Sequence, residues 1–367
     1  MTKGPGVRKI LVCGAAFAAT CVSAVAVPGG AAAAPAPTPP PPAASVAPSE
    51  ETSTSPPAPP GAESPAPWTE SPPQGRAPRD GEPDATVSAE AVMVTPRLPR
   101  ARSYAYGKDP NQRIDAYWRK EGPRAKPRPV VLILHGGYWM QGDKGSWKYF
   151  ARRLTEDGFV VMSANYRLAP KAQWPAQRDD ALSALAFVKK YARHWNADPS
   201  RVVVLGASSG GHLATQVGTF GTGGAQVRGV IALSPPNDPY LAYQDGALSA
   251  ATPSQRKLRR AVVDLVHCVP GAVTGLLAAP DCWQRLDDAN TTTHVSAGDA
   301  PMLLMHATGD FVPVAQSNGL AGALREAGVP VTVKTVEGKL HASQLFEDGR
   351  TYPTVLAWLK NRLRPGR

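Results

Sequence analysis

The sequence has little cysteine, with only four in 367 residues. Cys13 and Cys21 fall in an apolar N-terminal run, so Cys268 and Cys282 are the only cysteines in the rest of the chain. Neither has neighbouring side chains at the spacing of a zinc site, so no metal centre is expected there. In an oxidising compartment we expect a disulfide between Cys268 and Cys282, and two buried free thiols are the alternative.

Acidic residues are too few to balance the basic ones, at 29 against 40, and the formal net charge is +11. The first 99 residues carry six Lys/Arg and eight Asp/Glu, a balance of −2, so the remainder carries +13. This charge either favours acidic partners such as anionic cell-wall polymers or forms a solvated basic surface. No nucleic-acid-binding motif accompanies it, so nucleic acid is not an expected partner.

The first hundred residues have few large apolar side chains outside one run. Basic residues at positions 3, 8 and 9 precede the apolar run Ile10–Val27, which ends in the small residues Ala24-Val25-Ala26. This is the pattern of a signal peptide, assigned to residues 1–27, and it predicts a secreted or cell-surface protein. An uncleaved membrane anchor is the alternative because the run is close to spanning length. Lipid anchoring through Cys21 fits the sequence less well.

Residues 28–99 are rich in Pro, Ala, Ser and Glu. Such a segment cannot bury enough apolar surface to offset chain entropy, so we expect a disordered, semi-rigid linker. The linker either associates the protein with a cell wall or membrane surface or is a tail without a partner. From Arg100 the composition becomes that of a globular protein, and residues 100–367 have the size of one α/β enzyme domain.

Apolar runs alternate with amphipathic segments along this domain. Predicted strands are Ser103–Tyr106, Arg113–Trp118, Val130–Leu134, Phe159–Ala164, Arg201–Leu205, Val227–Leu233, Pro301–His306 and Val329–Val336. Predicted helices are Ser146–Asp157, Ala176–Trp195, Gly210–Thr219, Val314–Ala327 and Thr351–Leu363. The alternation predicts a mostly parallel, doubly wound α/β sheet with helices on both faces. Residues 235–299 lack a clear pattern and are predicted to form a small cap-like insertion.

A Gly-x-Ser-x-Gly motif, Gly206-Ala207-Ser208-Ser209-Gly210, stands between a predicted strand and a predicted helix. Small residues permit the sharp turn that raises the Ser208 hydroxyl above the sheet, beside a helix N-terminus. In this strand–turn–helix context, the motif predicts that Ser208 is a nucleophile.

A nucleophilic serine needs a base, and the base needs a carboxylate to orient it. Asp310 and His341 follow the last two predicted strands, in the chain order Ser, Asp, His that this arrangement requires. Asp299 is the rival acid, but it precedes its strand and belongs at the opposite edge. The other histidines stand in the wrong chain order, too close to Ser208, at a helix end, or in the loosely patterned segment. His341 is therefore the predicted base and Asp310 the predicted acid.

The sequence His135-Gly136-Gly137-Tyr138-Trp139 follows another predicted strand. Its glycines let backbone N–H groups approach a developing oxyanion. We therefore predict an oxyanion hole formed by Gly136, Gly137 and Tyr138, together with the N–H of Ser209. Trp139, beside this turn, is predicted to bind substrate, and ordinary packing is the alternative.

These motifs resemble the esterase/lipase branch of the α/β-hydrolases, including the hormone-sensitive-lipase-like and feruloyl-esterase-like families. Asn165–Pro170 and His306–Pro313 extend the similarity. Tyr138 stands where much of that branch has a third glycine, and HGGYW is similar to the HGGxW motif of kynurenine-formamidase-like hydrolases. The resemblance implies the α/β-hydrolase fold and acyl transfer without a metal or organic cofactor.

The expected function is that of a secreted carboxylesterase that acts on small-molecule esters. Two alternatives stay open at this point. The HGGYW motif favours a formamidase- or amidase-type hydrolase. A protein that binds cell-wall or lipid surfaces, with hydrolysis incidental, is the third possibility.

Overall fold

A twisted eight-stranded sheet forms the centre of the computed structural model, which describes residues 98–120, 122 and 125–366. Its strands are β1 Arg100–Ala105, β2 Arg113–Trp118, β3 Arg128–Leu134, β4 Val160–Ala164, β5 Ala197–Ala207, β6 Gly229–Leu233, β7 Met302–Ala307 and β8 Val331–Val336. The predicted signal peptide and residues 28–97 of the predicted linker lie outside the described residues.

The strands follow the order β1-β2-β4-β3-β5-β6-β7-β8. β1 pairs antiparallel with β2, and β2 pairs antiparallel with β4, whereas all pairs from β4 to β8 are parallel. Because parallel strands run in one direction, the carboxyl ends of β3, β5, β6, β7 and β8 share one edge of the sheet. This is the edge at which ligands bind in open α/β sheets.

Helices cover both faces of the sheet. Within the described residues they are α1 Lys148–Glu156, α2 Ala176–Tyr191, α3 Ser209–Thr219, α4 Gly223–Gln226, α5 Pro239–Asp245, α6 Pro253–Val266, α7 Cys282–Ala289, α8 Ala315–Glu326 and α9 Thr351–Arg362. Side chains alternate along each strand, so Val203 and Leu205 face a core shared with α1 and α9. Val202 and Val204 face the opposite core, shared with α2, α3 and α8.

The segment between β6 and β7 carries three α-helices, α5, α6 and α7. A Thr252–Gln255 capping box begins α6, and a disulfide between Cys268 and Cys282 joins the end of α6 to the start of α7. Asp288 of α7 accepts hydrogen bonds from Trp174 Nε1 at 2.7 Å and from Arg178 Nη1 at 2.8 Å. The insertion is thereby fastened to α2 and the loop that precedes it.

The predicted α/β fold is confirmed. All eight predicted strands and all five predicted helices occur, with shifts at their ends. The start of β5 shifts by four residues to Ala197, because Ala197 pairs with Arg128 across a register irregularity, and the end of α2 shifts by four residues to Tyr191. The helical content of the insertion was not predicted. Among the described residues, no helix is both long enough and apolar enough to cross a membrane.

Removing the disulfide should destabilise the insertion. In the chain-entropy model, a cross-link that closes a loop of this length contributes about 3 kcal/mol. We expect Cys268→Ala/Cys282→Ala to unfold at a lower temperature in a calorimetric scan, and reductant to lower the melting temperature of the wild type alone. Unchanged melting of the wild type in reductant would contradict this assignment.

Candidate active site

Ser208 occupies the sharp turn between β5 and α3. Its backbone adopts φ 52° and ψ −123°, a strained conformation for a residue other than glycine. The Ser208 N–H donates to the carbonyl oxygen of Leu233 at 2.7 Å, which ties the turn to the end of β6. The structure therefore places Ser208 at the carboxyl edge of the sheet, where the strand–turn–helix pattern predicts it.

The side chains of Ser208, His341 and Asp310 form a continuous hydrogen-bonded chain. His341 Nε2 lies 2.9 Å from Ser208 Oγ, and His341 Nδ1 lies 2.8 Å from Asp310 Oδ1. With Nδ1–H donating to the carboxylate, Nε2 is free to accept the serine proton. The structure thus brings together three residues that are separated by up to 133 positions in sequence.

Asp310 lies on the loop after β7 and is buried. Its Oδ1 also accepts the N–H of Val312 at 3.0 Å, which helps to fix the orientation of the carboxylate. Among the described residues, Oδ2 has no hydrogen-bond donor, and His306 Nδ1 approaches it only to 3.9 Å. The carboxylate is therefore engaged through the oxygen that faces the base.

His306 supports the loop that carries Asp310, which we call the acid loop. Its Nδ1 contacts the carbonyl oxygen of Val312 at 3.1 Å and its Nε2 contacts Ser317 Oγ at 2.8 Å. Burial lowers the pKa of His306 to about 4, so the ring is neutral near pH 7. Nδ1–H then donates to the carbonyl, and Nε2 accepts from the serine hydroxyl. This supporting role was not predicted from the sequence.

Ser234 is a second supporting residue that was not predicted from the sequence. It directly follows β6, and its Oγ accepts the N–H of Ala342 at 2.9 Å. The bond fixes the residue next to His341, so it holds the base loop against the neighbouring strand. The signal available in the sequence was the position of Ser234 at the carboxyl end of a strand, the same logic that located Ser208.

The predicted oxyanion loop, residues 135–139, lies directly against Ser208. A Cβ atom placed on Gly136 would be 3.1 Å from Ser208 Cβ and 2.8 Å from the Ala207 carbonyl oxygen, so only glycine fits without a shift. Tyr138 has φ 60°, in the left-handed region that a glycine would favour. The Gly137 carbonyl accepts turn hydrogen bonds at 3.1 Å from Met140 and Gln141. These contacts hold the loop beside Ser208 and the start of α3 at Ser209.

Tyr166, from the segment after β4, lies beneath this loop. Its hydroxyl donates to the His135 carbonyl oxygen at 2.9 Å and approaches Ser209 Oγ at 3.3 Å. Its ring stacks on the His135 imidazole with centroids 4.5 Å apart. One buried tyrosine therefore links the two chain segments that supply the predicted oxyanion donors.

The prediction that Trp139 contacts substrate needs correction. The residue has an exposed fraction of 0%, so its side chain has no surface available to a ligand. Its Nε1 donates to His212 Nδ1 at 3.2 Å, and His212 Nε2 donates to the Ala289 carbonyl oxygen at 2.7 Å. Trp139 therefore anchors the oxyanion loop to the insertion by way of His212, whose pKa is lowered to about 4 by burial.

Aromatic rings, rather than Trp139, border the base. The Phe311 ring lies 4.1 Å from the His341 ring between centroids, and the Tyr138 ring stacks on Phe311 at 6.0 Å. Lys257 of α6 also contacts this pair of rings, with Nζ 4.6 Å from the Tyr138 centroid. The insertion thus contacts Tyr138, which stacks on Phe311 beside His341. The spacing of these residues in the sequence did not predict these contacts.

Gly210 of α3 has no room for a side chain. An added Cβ would lie 2.3 Å from the carbonyl oxygens of both Leu134 and His135, which are backbone atoms that cannot rotate away. We expect Gly210→Ala to lower the free energy of unfolding by about 1–3 kcal/mol, measured by chemical denaturation. The matched control is Gly319→Ala in α8, where nothing lies within 4 Å, and a gain of up to about 1 kcal/mol is expected. Equal stability of the two variants would refute the packing argument.

The two neutral histidines predict acid sensitivity. His212 and His306 have folded-state pKa values of about 4, below the unfolded value near 6.5, so the unfolded chain binds more protons between these pH values. Their contribution to stability is complete above about pH 6.5 and is lost as the pH falls toward 4. In His306→Gln, the free energy of unfolding should fall less steeply across this window than in the wild type. Identical slopes in the two proteins would be the contrary result.

The comparisons with known proteins agree with this geometry. The BD-FAE family model matches residues 114–236, which include the oxyanion loop and Ser208. The chain is 28% identical over 258 residues to the probable carboxylic ester hydrolase LipM of Mycobacterium tuberculosis, and the match covers 66% of this chain and 56% of LipM. It is 27% identical over 296 residues to esterase LipC of the same organism, covering 75% of this chain and 68% of LipC. The match therefore spans little more than half the length of LipM.

Among solved structures, esterase B from Lactobacillus rhamnosis aligns with a TM-score of 0.59 and 22% identity, covering 73% of this chain and 86% of that chain. At 22% identity, the alignment supports a shared fold and nothing more specific. The chain therefore has the α/β-hydrolase fold, and its sequence similarities lie with esterases and carboxylic ester hydrolases.

Proposed function

We propose that the chain is a serine carboxylesterase that cleaves small carboxylic esters through an acyl-enzyme intermediate. The observation that carries this proposal is the hydrogen-bonded chain from Ser208 through His341 to Asp310 beside a glycine-rich loop. Relatives named as esterases and carboxylic ester hydrolases support the ester bond as the target.

In the first half of the proposed reaction, Ser208 Oγ attacks the ester carbonyl carbon as its proton moves to His341 Nε2. Asp310 stabilises the imidazolium that forms and keeps the ring in its orientation. The backbone N–H groups of Gly136, Gly137, Tyr138 and Ser209 are the proposed donors to the oxyanion. Each such donor typically contributes about 3 kcal/mol to transition-state stabilisation.

Collapse of the tetrahedral intermediate breaks the bond to the alcohol, which leaves with the proton from His341. Water then takes the position of the alcohol, and His341 accepts one of its protons while the hydroxide attacks the acyl carbon. A second collapse releases the carboxylic acid and returns the proton to Ser208. This chain's own residues supply every proton transfer in the cycle.

The second candidate is a formamidase- or amidase-type hydrolase. Tyr138 favours it, since its ring on Phe311 narrows the space near the base more than glycine would. Export through the predicted signal peptide, which is part of our proposal, agrees better with an extracellular ester. Comparing turnover of 4-nitrophenyl esters with that of N-formylkynurenine distinguishes the two candidates, and faster turnover of the formamide would favour the second.

Ser208→Ala should lower kcat/KM for 4-nitrophenyl acetate or butyrate by at least about a thousandfold, because the covalent step is lost. Far-UV circular dichroism should show that the variant stays folded. Ser183→Ala, an exposed serine of α2, is the matched control and should retain wild-type turnover. Comparable activity in Ser208→Ala would refute the assignment, and a fully inactive wild type would favour a binding role.

A further inference from the structure

Lys257 lies near the start of α6, where the insertion meets the oxyanion loop. Its ammonium nitrogen is 4.6 Å from the centroid of the Tyr138 ring, within cation–π range. Burial raises the pKa of Tyr138, and the Ser254 side chain, one helical turn before Lys257, lies near enough to the phenol to offset part of that rise. Residues three apart share a face of a helix, so one face of α6 holds the tyrosine of the oxyanion loop.

Lys257 differs from the other cations of α6. Arg259 is engaged by Tyr243, with its guanidinium 3.6 Å from that ring and Nη1 2.6 Å from the Tyr243 carbonyl oxygen. Arg256 and Arg260 are exposed to solvent, whereas Lys257 is half-buried. In the part of the chain that the structure describes, no carboxylate lies within ion-pair distance of the Lys257 ammonium.

A half-buried ammonium without a counterion favours a negatively charged ligand, because its field is screened less than that of a fully solvated charge. Its neighbours connect it to the reacting atoms. The Tyr138 ring stacks on Phe311, and Phe311 lies against the His341 ring. A negative charge at Lys257 would therefore belong to a group several bonds away from the carbonyl that Ser208 attacks.

We infer that Lys257 is a specificity-determining residue that binds a carboxylate carried by the ester substrate. The inference deepens the proposed esterase function and rests on it. The proposed ligand is a carboxylate that lies several bonds from the ester carbonyl. It belongs either to the acyl part or to the alcohol part of the substrate, and two pairs of esters distinguish these positions.

The acyl arm compares mono-4-nitrophenyl adipate with 4-nitrophenyl hexanoate, which has the same number of acyl carbons but no charge. The alcohol arm compares 4-acetoxybenzoate with the neutral 4-acetoxybenzamide. The readout in each arm is the ratio of kcat/KM for the anionic ester to that for the neutral ester, after subtraction of spontaneous hydrolysis.

Lys257→Gln and Lys257→Met both remove the positive charge. Lys257→Met in addition keeps an unbranched apolar side chain over the Tyr138 ring. Both should lower the ratio by about tenfold in at least one arm, mainly through a higher KM for the anionic ester, and added salt should lower the ratio in the wild type alone. Arg260→Gln, an exposed cation of the same helix, is the matched control and should leave the ratio unchanged.

An unchanged ratio in both arms, or an equal loss for anionic and neutral esters, would overturn the inference, since Lys257 would then only support Tyr138. Calorimetric binding of monoethyl adipate and ethyl hexanoate to Ser208→Ala protein tests it without turnover. There Lys257→Gln should weaken binding of the anionic ester alone, and equal binding before and after the substitution would contradict the inference. A different outcome is that binding of the anionic ester depends on Lys257 but the wild type shows no Ser208-dependent hydrolysis. That outcome would contradict the proposed esterase function.

Discussion

The hydrogen bond between His341 Nε2 and Ser208 Oγ, at 2.9 Å, is the contact on which the site depends. It joins a loop after β8 to a turn after β5, so it exists only if the parallel strands are in register and their carboxyl ends meet. The second bond, from His341 Nδ1 to Asp310 at 2.8 Å, holds the proton on Nδ1. His341 Nε2 is then left to accept the hydrogen bond from Ser208. Ser208 also has a strained backbone, which the surrounding hydrogen bonds must hold in place.

Buried polar side chains supply that support. Tyr166 links the oxyanion loop to Ser209, Ser234 holds the residue after the base, and His306 braces the acid loop. His212 extends the network to the insertion through Trp139 and Ala289. Since both histidines are neutral, the network places no unpaired positive charge beside the triad, and its stability is coupled to pH through their lowered pKa values.

The sheet, its flanking helices and the positions of Ser208, Asp310 and His341 could be predicted because strand alternation and chain order constrain them strongly. The three helices of the insertion were missed, although the Thr252–Gln255 capping box and the spacing of Leu258, Val262 and Leu265 were visible signals. Trp139 could not be assigned from the sequence, since its direction depends on the left-handed backbone at residue 139 and on a distant histidine. The contacts of Lys257 and Phe311 likewise arise from packing between elements, which periodicity does not encode.

The proposed mechanism requires that the His341 imidazole activates the Ser208 hydroxyl. Labelling with a fluorophosphonate, followed by tandem mass spectrometry of the labelled peptides, measures this activation. We expect a single adduct on Ser208 and a labelling rate that drops sharply in His341→Ala. An adduct on another serine, or undiminished labelling of Ser208 in the histidine variant, would contradict it.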